Sequence, residues 1–283
     1  MARAPWDRGE TPAPAPPPHR APRPPELEPA WVALLPSVQS GLSVVLVVAV
    51  LFWVAGAWLS GRPPARADMV PEIEPAPVQT PIEAASFSFD YKSRTYDVQP
   101  VADYELVGLV MSRNNPRSVA DAYHDSDSVD TRDWCVIWGP NLDIPLHRVS
   151  IKNSSWTCWV QWPRGVDFHV DALSNNHLIT DSDAIRAQIE RVRPGDQVRV
   201  HGMLVNYAPA DKPAWKRNTS TVRTDDGGGA CEVLFVEQIE VLRQGTPLPY
   251  ALAGLGKWAL LVALLGKLGL LWLRVARDVR ARR

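Results

Sequence analysis

The stretch RPGDQVRVHGMLVNY, residues 193–207, decides how the centre of this chain folds. Its Pro-Gly pair ends any preceding helix and favours a turn. The residues that follow alternate between apolar and polar, which places Val198, Val200 and Leu204 on one face of a β-strand. Gly202 falls in the middle of this strand and suits a bulge or a bend. The stretch therefore predicts a turn followed by a strand over residues 197–207.

Four further strand-like segments and one helical segment surround this strand. Three strand-like segments precede it, at residues 104–112 (YELVGLVMS), 133–138 (DWCVIW) and 156–162 (WTCWVQW), and one follows at residues 231–242 (CEVLFVEQIEVL). Residues 182–192 (SDAIRAQIERV) carry apolar residues at helical spacing after a Ser or Asp cap. Asn175 and Asn176, just before this helix, are expected to form a turn. The predicted order is three strands, one helix and two strands.

This order resembles the connectivity of the OB-fold, a five-stranded Greek-key barrel whose helix lies between strands three and four. Residues 193–207 resemble the fourth strand of such domains, and residues 231–242 resemble the last. The resemblance implies a mainly β domain over residues 101–245, with ligand contacts on the second and third strands and their flanking loops. Other small β-barrels and a sandwich stay open, and an OB-fold would not name a ligand.

Two apolar segments flank this domain, at residues 31–60 and 250–273. Each is long enough for a helix that crosses a bilayer, which needs about 20 apolar residues. A cleaved signal peptide is the alternative for the first segment, but a Pro-rich stretch of 30 residues precedes it. Lys257 and Lys267 interrupt the second segment, so a helix lying in the membrane interface is its alternative.

Basic residues near the two segments indicate their orientation. The second segment is followed by five arginines, at positions 274, 277, 280, 282 and 283, whereas only Arg243 stands close before it. Short cytoplasmic flanks carry the excess of Lys and Arg. We therefore expect both termini in the cytoplasm and the domain on the far side. The Ala-, Arg- and Pro-rich composition suggests a bacterium, and hence a periplasmic domain anchored in the inner membrane.

Proline-rich stretches predict the remaining organisation. We expect residues 1–30 to form a disordered cytoplasmic tail, residues 61–100 a semi-rigid spacer, and residues 274–283 a basic cytoplasmic tail. The chain carries 30 basic and 31 acidic residues, but residues 101–245 hold 15 Lys and Arg against 20 Asp and Glu, a net charge of −5. Such a domain is a poor match for a nucleic-acid backbone. Membrane lipids and an envelope protein or a saccharide are the partners we expect.

Three cysteines, Cys135, Cys158 and Cys231, fall on the second, third and fifth predicted strands. An oxidising compartment favours one disulfide and one remaining thiol. The third strand of an OB-fold neighbours both others, so Cys158 could pair with either partner. We favour Cys158–Cys231, and three unpaired buried thiols are the alternative. The spacing contains no pattern typical of a zinc site, and we predict neither a metal nor a cofactor.

The segment before Cys231 is the main candidate for a ligand site. It carries two arginines, several hydroxyl groups and a run of glycines that could form an anion- or sugar-binding nest of backbone N–H groups. The candidate residues are Arg217, Thr219, Ser220, Arg223 and Asp225. A solvated hairpin loop is the alternative.

Two further candidates are Trp159, as a stacking platform for a sugar or a protein contact, and His177, next to Asn175 and Asn176. The Trp-rich strands could equally serve the core. No catalytic motif names a reaction. The leading hypothesis is therefore a membrane-anchored binding or scaffolding module of a bacterial envelope complex. The alternatives are an envelope hydrolase with a spatially assembled His/Asp/Ser or Cys site, and a structural anchor whose Pro-rich tail recruits a partner.

Overall fold

The computed structural model describes residues 30–116, 127–154, 157–225 and 230–282. The protein is mainly β-sheet, with one large multistranded sheet and two long apolar helices. It divides into two compact units. The larger unit covers residues 45–262 and contains every described strand, and the smaller unit comprises residues up to 44 together with residues from 263 onward.

The described residues form three α-helices and nine strands. The helices are α1 (Leu35–Leu59), α2 (Asp183–Arg191) and α3 (Pro247–Ala281). The strands are β1 (Val78–Pro81), β2 (Phe87–Tyr91), β3 (Arg94–Asn114), β4 (Arg132–Ile137), β5 (Ser150–Ser154), β6 (Thr157–Gln161), β7 (Leu173–Ile179), β8 (Gln197–Pro209) and β9 (Glu232–Arg243).

The large sheet has seven strands rather than the five that we expected. Its pairing runs β3–β4–β7–β9–β8, and β8 also pairs with β3. All of these pairs are antiparallel except β7–β9, which is parallel. The first half of β3 additionally pairs with β1 and β2. The 21-residue strand β3 therefore pairs with four other strands and organises the sheet.

The third strand of the sheet differs from the prediction. Residues 157–161 form β6, which pairs only with β5 in a separate two-stranded hairpin, and residues 155 and 156 lie outside the described residues. The sheet instead uses β7, with the sequence LSNNHLI, where we expected a turn at Asn175 and Asn176. This strand is buried although it is polar, because its side chains bond to one another and to neighbouring strands. Asn176 Nδ2, for example, donates to Ser174 Oγ at 2.6 Å.

The segment 61–100 is also not the spacer that we expected. It contains β1, β2 and the beginning of β3. The alternation of Phe87 and Phe89 in β2 directs both rings toward Phe235 of β9, with centroid distances of 5.1 and 5.6 Å. Aromatic packing of this kind stabilises a strand even where the flanking sequence is rich in proline.

The strand that begins at Gln197 forms as predicted. Val198, Val200 and Leu204 are fully buried, and the pairing of β8 with β9 shifts register between His201 and Gly202. A Cβ at Gly202 would clash with the carbonyl of Phe235, so this position requires glycine. Helix α2 also forms at its predicted place, with Ser182 Oγ accepting from the N–H of Ile185 at the N-cap.

The two long helices are apolar and long enough to cross a membrane, over Trp31–Leu59 and Pro247–Ala281. Within the larger unit, Gly56 and Gly256 allow α1 and α3 to approach closely, because a Cβ at Gly256 would meet the backbone of Trp53. Within the smaller unit, Lys267 Nζ donates to Ser43 Oγ at 2.7 Å, which gives this lysine a polar partner between the helices.

Candidate functional site

The loop between β8 and β9 folds back over the sheet, and its backbone is fixed to both strands. Tyr207 and Arg217 exchange two backbone hydrogen bonds, of 2.9 and 2.8 Å. Thr219 bridges the two strands, because its N–H donates to Asn206 Oδ1 and its Oγ1 accepts from the N–H of Val233, both at 3.0 Å. Arg217 and Thr219 are therefore attached to the sheet, whereas most other residues of 216–225 are exposed, and residues 226–229 lie outside the described residues.

A row of buried ionisable side chains lies under this loop. His177 of β7 and Asp133 of β4 are paired partners in the sheet, and both side chains are fully buried. His177 Nδ1 lies 2.6 Å from Asp133 Oδ1, and His177 Nε2 lies 2.7 Å from an Arg217 guanidinium nitrogen. The imidazole thus connects a carboxylate in the core to a guanidinium from the loop.

Burial lowers the pKa of His177, but the Asp133 carboxylate and hydrogen bonds to Asp133 and Cys231 outweigh this effect and raise the pKa to about 9. A guanidinium has donors only, so Nε2 accepts the hydrogen bond from Arg217 and carries no proton in this geometry. Protonation of the ring would require Arg217 to move away from Nε2. Arg217 therefore opposes the protonation that Asp133 favours.

Buried acidic groups surround Arg217 on its other side. Burial lowers the pKa of Arg217, and the nearby Asp130 carboxylate, Tyr207 and Asp133 raise it overall. Tyr207 donates its hydroxyl hydrogen to Asp130 Oδ2 at 2.9 Å. The second oxygen of Asp133, Oδ2, is buried without a hydrogen-bond partner among the described residues. Breaking one member of such a network leaves uncompensated buried charge, which typically costs about 3–5 kcal/mol.

Cys231 lies at the edge of this network and is half-buried. Asn175 Nδ2 donates to Cys231 Sγ at 3.0 Å, and Cys231 is among the groups that raise the pKa of His177. Both ring nitrogens of His177 are engaged, Nδ1 by Asp133 and Nε2 by Arg217, so the arrangement differs from that of a cysteine nucleophile whose base faces the thiol. The imidazole is fully buried, whereas Cys231 is partly exposed.

The disulfide joins Cys135 of β4 to Cys158 of β6, and the expected Cys158–Cys231 pairing is wrong. The cause is the position of β6, which lies over β4 in its hairpin instead of beside β9. Asn175 of β7 then separates the disulfide from Cys231, because its Oδ1 lies 3.3 Å from Cys158 Sγ while its Nδ2 donates to Cys231.

A second ion pair holds the end of the loop. Arg223 donates to Glu232 Oε1 at 2.5 Å and to the Tyr104 hydroxyl at 2.7 Å, and its guanidinium lies over the rings of Tyr104 and Trp138. Burial raises the pKa of Glu232 to about 7, and Arg223 opposes this rise. Burial likewise raises the pKa of Tyr104. Both loop arginines that we assigned to ligand binding therefore have acidic or polar partners inside the protein.

The remaining candidates occupy two places. Ser220 Oγ donates to Asp225 Oδ2 at 2.5 Å within the loop. Trp159 lies elsewhere, on β6, where its side chain is 61% exposed and its Nε1 donates to the carbonyl of Ser154. The structure thus brings His177 and Arg217 together, leaves Thr219, Ser220, Arg223 and Asp225 beside them in the loop, and separates Trp159 from this group.

Several side chains that contact the candidate residues were not predicted as site residues from the sequence: Tyr104, Asp130, Asp133, Asn175, Tyr207 and Glu232. They come from different strands and from the segment before β4, and they are close only after the sheet forms, so no spacing along the chain reveals them. A charged residue inside an apolar strand, such as Asp133 in DWCVIW, is the one available signal, because such a residue is buried only with a partner.

Metal-ligating side chains do not cluster in threes within the described ranges of the chain. Comparisons with models of protein families, with curated proteins and with solved structures give no match.

Proposed function

We propose that this protein is a membrane-anchored binding module of the bacterial envelope, and that Trp159 is part of its contact surface. The observation that carries the proposal is the way this ring is presented. A two-stranded hairpin is only marginally stable by itself. Here Cys158 cross-links it to β4, while Ile151 and Val160 pack into the core beneath it. The opposite face then holds Trp159 outward in a fixed position.

A fixed exposed indole is typical of a binding site. Tryptophan is enriched among the residues that dominate binding energy, and ordering the hairpin in advance lowers the entropy lost on association. Trp134 of β4 and Trp138, directly after β4, are buried and serve the core, whereas the ring of Trp159 is not needed there. The partner that we propose is an envelope protein, and a saccharide that stacks on the ring is the alternative.

The finer architecture that we propose is OB-like. The cyclic pairing of β3, β4, β7, β9 and β8, with α2 between β7 and β8, supports it. The proposed location is the inner membrane, with both termini in the cytoplasm and the domain in the periplasm. The excess of arginines after the second apolar segment supports this orientation.

Thiol labelling in intact cells tests the orientation. In a Cys231→Ala background, a single new cysteine replaces either Trp215, which is 72% exposed in the domain, or the exposed Arg282 near the C-terminus. A membrane-impermeant maleimide is expected to label Trp215→Cys in intact cells and Arg282→Cys only after lysis. The reverse pattern would place the domain in the cytoplasm and overturn the proposed location.

Photo-crosslinking in cells tests the contact surface. A photoreactive phenylalanine at position 159 is compared with the same residue at position 241, where Val241 is 40% exposed on β9. We expect a discrete protein adduct from position 159 only. If position 159 gives no adduct, the saccharide alternative is tested by titrating the purified chain with soluble glycan fragments. Stacking of a sugar on Trp159 would quench tryptophan fluorescence in the unchanged chain but not in Trp159→Ala. Absence of both signals would refute the proposal.

A second candidate function is thiol chemistry at Cys231, and the hydrogen bond that Asn175 donates to this half-buried thiol favours it. An activated thiol reacts faster with iodoacetamide near neutral pH than an ordinary one. The rate at Cys231 should then fall in His177→Gln while the circular dichroism spectrum is retained. An ordinary rate that is the same in His177→Gln and in the unchanged chain would exclude a catalytic role for this thiol.

A further inference from the structure

An open cavity of about 680 Å³ lies directly after the end of α1, within the larger unit. One wall is the four-residue segment that follows the helix, residues 60–63. The other wall is formed by Met111 of β3 and by residues of the segment leading into β5 and of β5 itself. These are Leu146, His147, Val149, Ser150, Ile151 and Lys152.

The lining of the cavity is amphipathic and basic. Leu146, Val149 and Ile151 are almost fully buried and form an apolar floor. Arg62, Lys152 and the imidazole of His147 are exposed at the rim. The described residues that line the cavity include no carboxylate, so its net charge is positive. An anionic ligand with an apolar portion fits this combination of charge and surface.

The position of the cavity along the chain fixes its depth relative to a bilayer. Helix α1 ends at Leu59, and Ser60 is the first residue after it. The headgroup layer on each side of the hydrocarbon core is about 5–7 Å thick, so the residues just after a spanning helix lie at the level of the headgroups. Trp58, a residue type that favours this interface, is covered by the Arg62 guanidinium at 3.8 Å from its ring centroid.

We propose that this cavity binds the headgroup of an anionic phospholipid from the surrounding bilayer. Arg62 and Lys152 contact the phosphate, and the apolar floor receives the glycerol and the first part of an acyl chain. Arg62 is suited to this role because its Nε already donates to the carbonyl of Trp58, which directs the guanidinium at headgroup level. The inference requires that α1 spans the membrane, and it does not depend on Trp159 or on any soluble partner.

Site-specific photo-crosslinking of lipid tests the proposal on the full chain in nanodiscs. The probe is phosphatidylglycerol with a photoreactive group near its headgroup, and adducts are mapped by mass spectrometry of peptides. We expect adducts on residues 60–63 and 146–152. Arg62→Gln and Lys152→Gln should each lower the adduct yield on these peptides about fivefold, since one cation near an anionic surface contributes about that factor to lipid binding.

The matched control is Arg274→Gln, because this arginine follows the second apolar segment and lies on neither wall of the cavity. It should leave adducts on residues 60–63 unchanged. Arg62 and Lys152 are exposed, so the thermal midpoint of both variants should equal that of the unchanged chain.

Four results would overturn the proposal. The first is an absence of adducts on the two walls, and the second is a yield that neither substitution alters. The third is an equal yield from a zwitterionic phosphatidylcholine probe, which would mean that the charge of the headgroup is not recognised. Full displacement by millimolar glycerol phosphate would also contradict the assignment to a lipid and would assign the site to a soluble phosphate ester.

Discussion

Removal of the disulfide should destabilise the domain, and the loss should begin in one hairpin. The bond between Cys135 and Cys158 closes a loop with a sequence separation of 23. Chain-entropy arguments give about 3 kcal/mol for a loop of this size at 25 °C. Cys135→Ala combined with Cys158→Ala should therefore lower the free energy of unfolding by about that amount. Alanine is the appropriate replacement because Cys135 is fully buried and a serine there would add a buried hydroxyl.

The location of the effect follows from the topology. The hairpin β5–β6 belongs to no larger sheet, so without the cross-link it keeps one apolar face against the core and the hydrogen bonds of Asn153 with Ser112 and Asn175. Amide hydrogen exchange in the double variant should become fast in β5 and β6 while β3 and β8 stay protected. Chemical unfolding of the full chain in detergent, followed by tryptophan fluorescence, measures the global loss.

Two comparisons separate loop closure from other effects of the substitutions. Reductant added to the unchanged chain should reproduce the loss seen in the double variant. Cys231→Ala removes a thiol without opening a loop and should leave the protection of β5 and β6 intact. The reasoning would be refuted if the double variant unfolded at the same denaturant concentration as the unchanged chain with full protection of the hairpin.

Three further predictions concern glycines and one buried acid. Gly202→Ala should lower the free energy of unfolding by about 1–3 kcal/mol in the same unfolding assay, because the added Cβ would overlap β9. An unchanged midpoint would contradict the close approach of β8 and β9 at this position. Gly256→Leu should lower the thermal midpoint in detergent, whereas Gly254→Leu should not, since a Cβ at position 254 meets nothing within 4 Å. Burial raises the folded-state pKa of Glu232 to about 7, above the pKa of 4.5 in the unfolded chain. The stability that Glu232 contributes is therefore complete below pH 4.5 and is lost as the pH rises through 7, by at most about 3 kcal/mol. Glu232→Gln should flatten the pH dependence of unfolding in this window, and a profile identical to that of the unchanged chain would refute the assignment.

The sequence was sufficient to predict those elements whose pattern is local. Strand β8 shows alternating apolar residues and a turn, and α2 shows a cap and helical spacing, so both were predicted close to their observed bounds. The two apolar segments were predicted for the same reason, although α3 extends beyond residues 250–273 to Pro247–Ala281. The Pro-rich segment at residues 1–29 lies outside the described residues.

Polar strands were the main source of error. Strand β7 carries Ser174, Asn175, Asn176 and His177, and such residues usually indicate a turn. They are buried because their partners come from β4 and from the distant β8–β9 loop, and a single-sequence pattern contains no information on these partners. The same mistake moved the third strand to residues 156–162 and led to the wrong partner for Cys158.

The candidate loop lies against the sheet, and the internal partners of its arginines were not foreseen. Arg217 and Arg223 appear available for a ligand when only the sequence KRNTSTVRTDD is considered. Arg217 contacts His177, 40 residues before it, and Arg223 pairs with Glu232, 9 residues after it, and only the sheet brings each pair together. Electrostatic contacts between distant residues therefore decide whether a basic loop binds an external anion or an internal one.

The length of β3 and the position of β9 constrain the order of events during synthesis. Strand β3 must pair with β8, whose residues lie about a hundred positions later, and β9 ends at Arg243, just before α3 begins at Pro247. Contacts this distant form late, because the ends of a long loop must first be brought together. The sheet therefore cannot be completed until the chain has been made up to the end of β9, directly before α3. A chain truncated before Pro247 would test whether the sheet folds without α3.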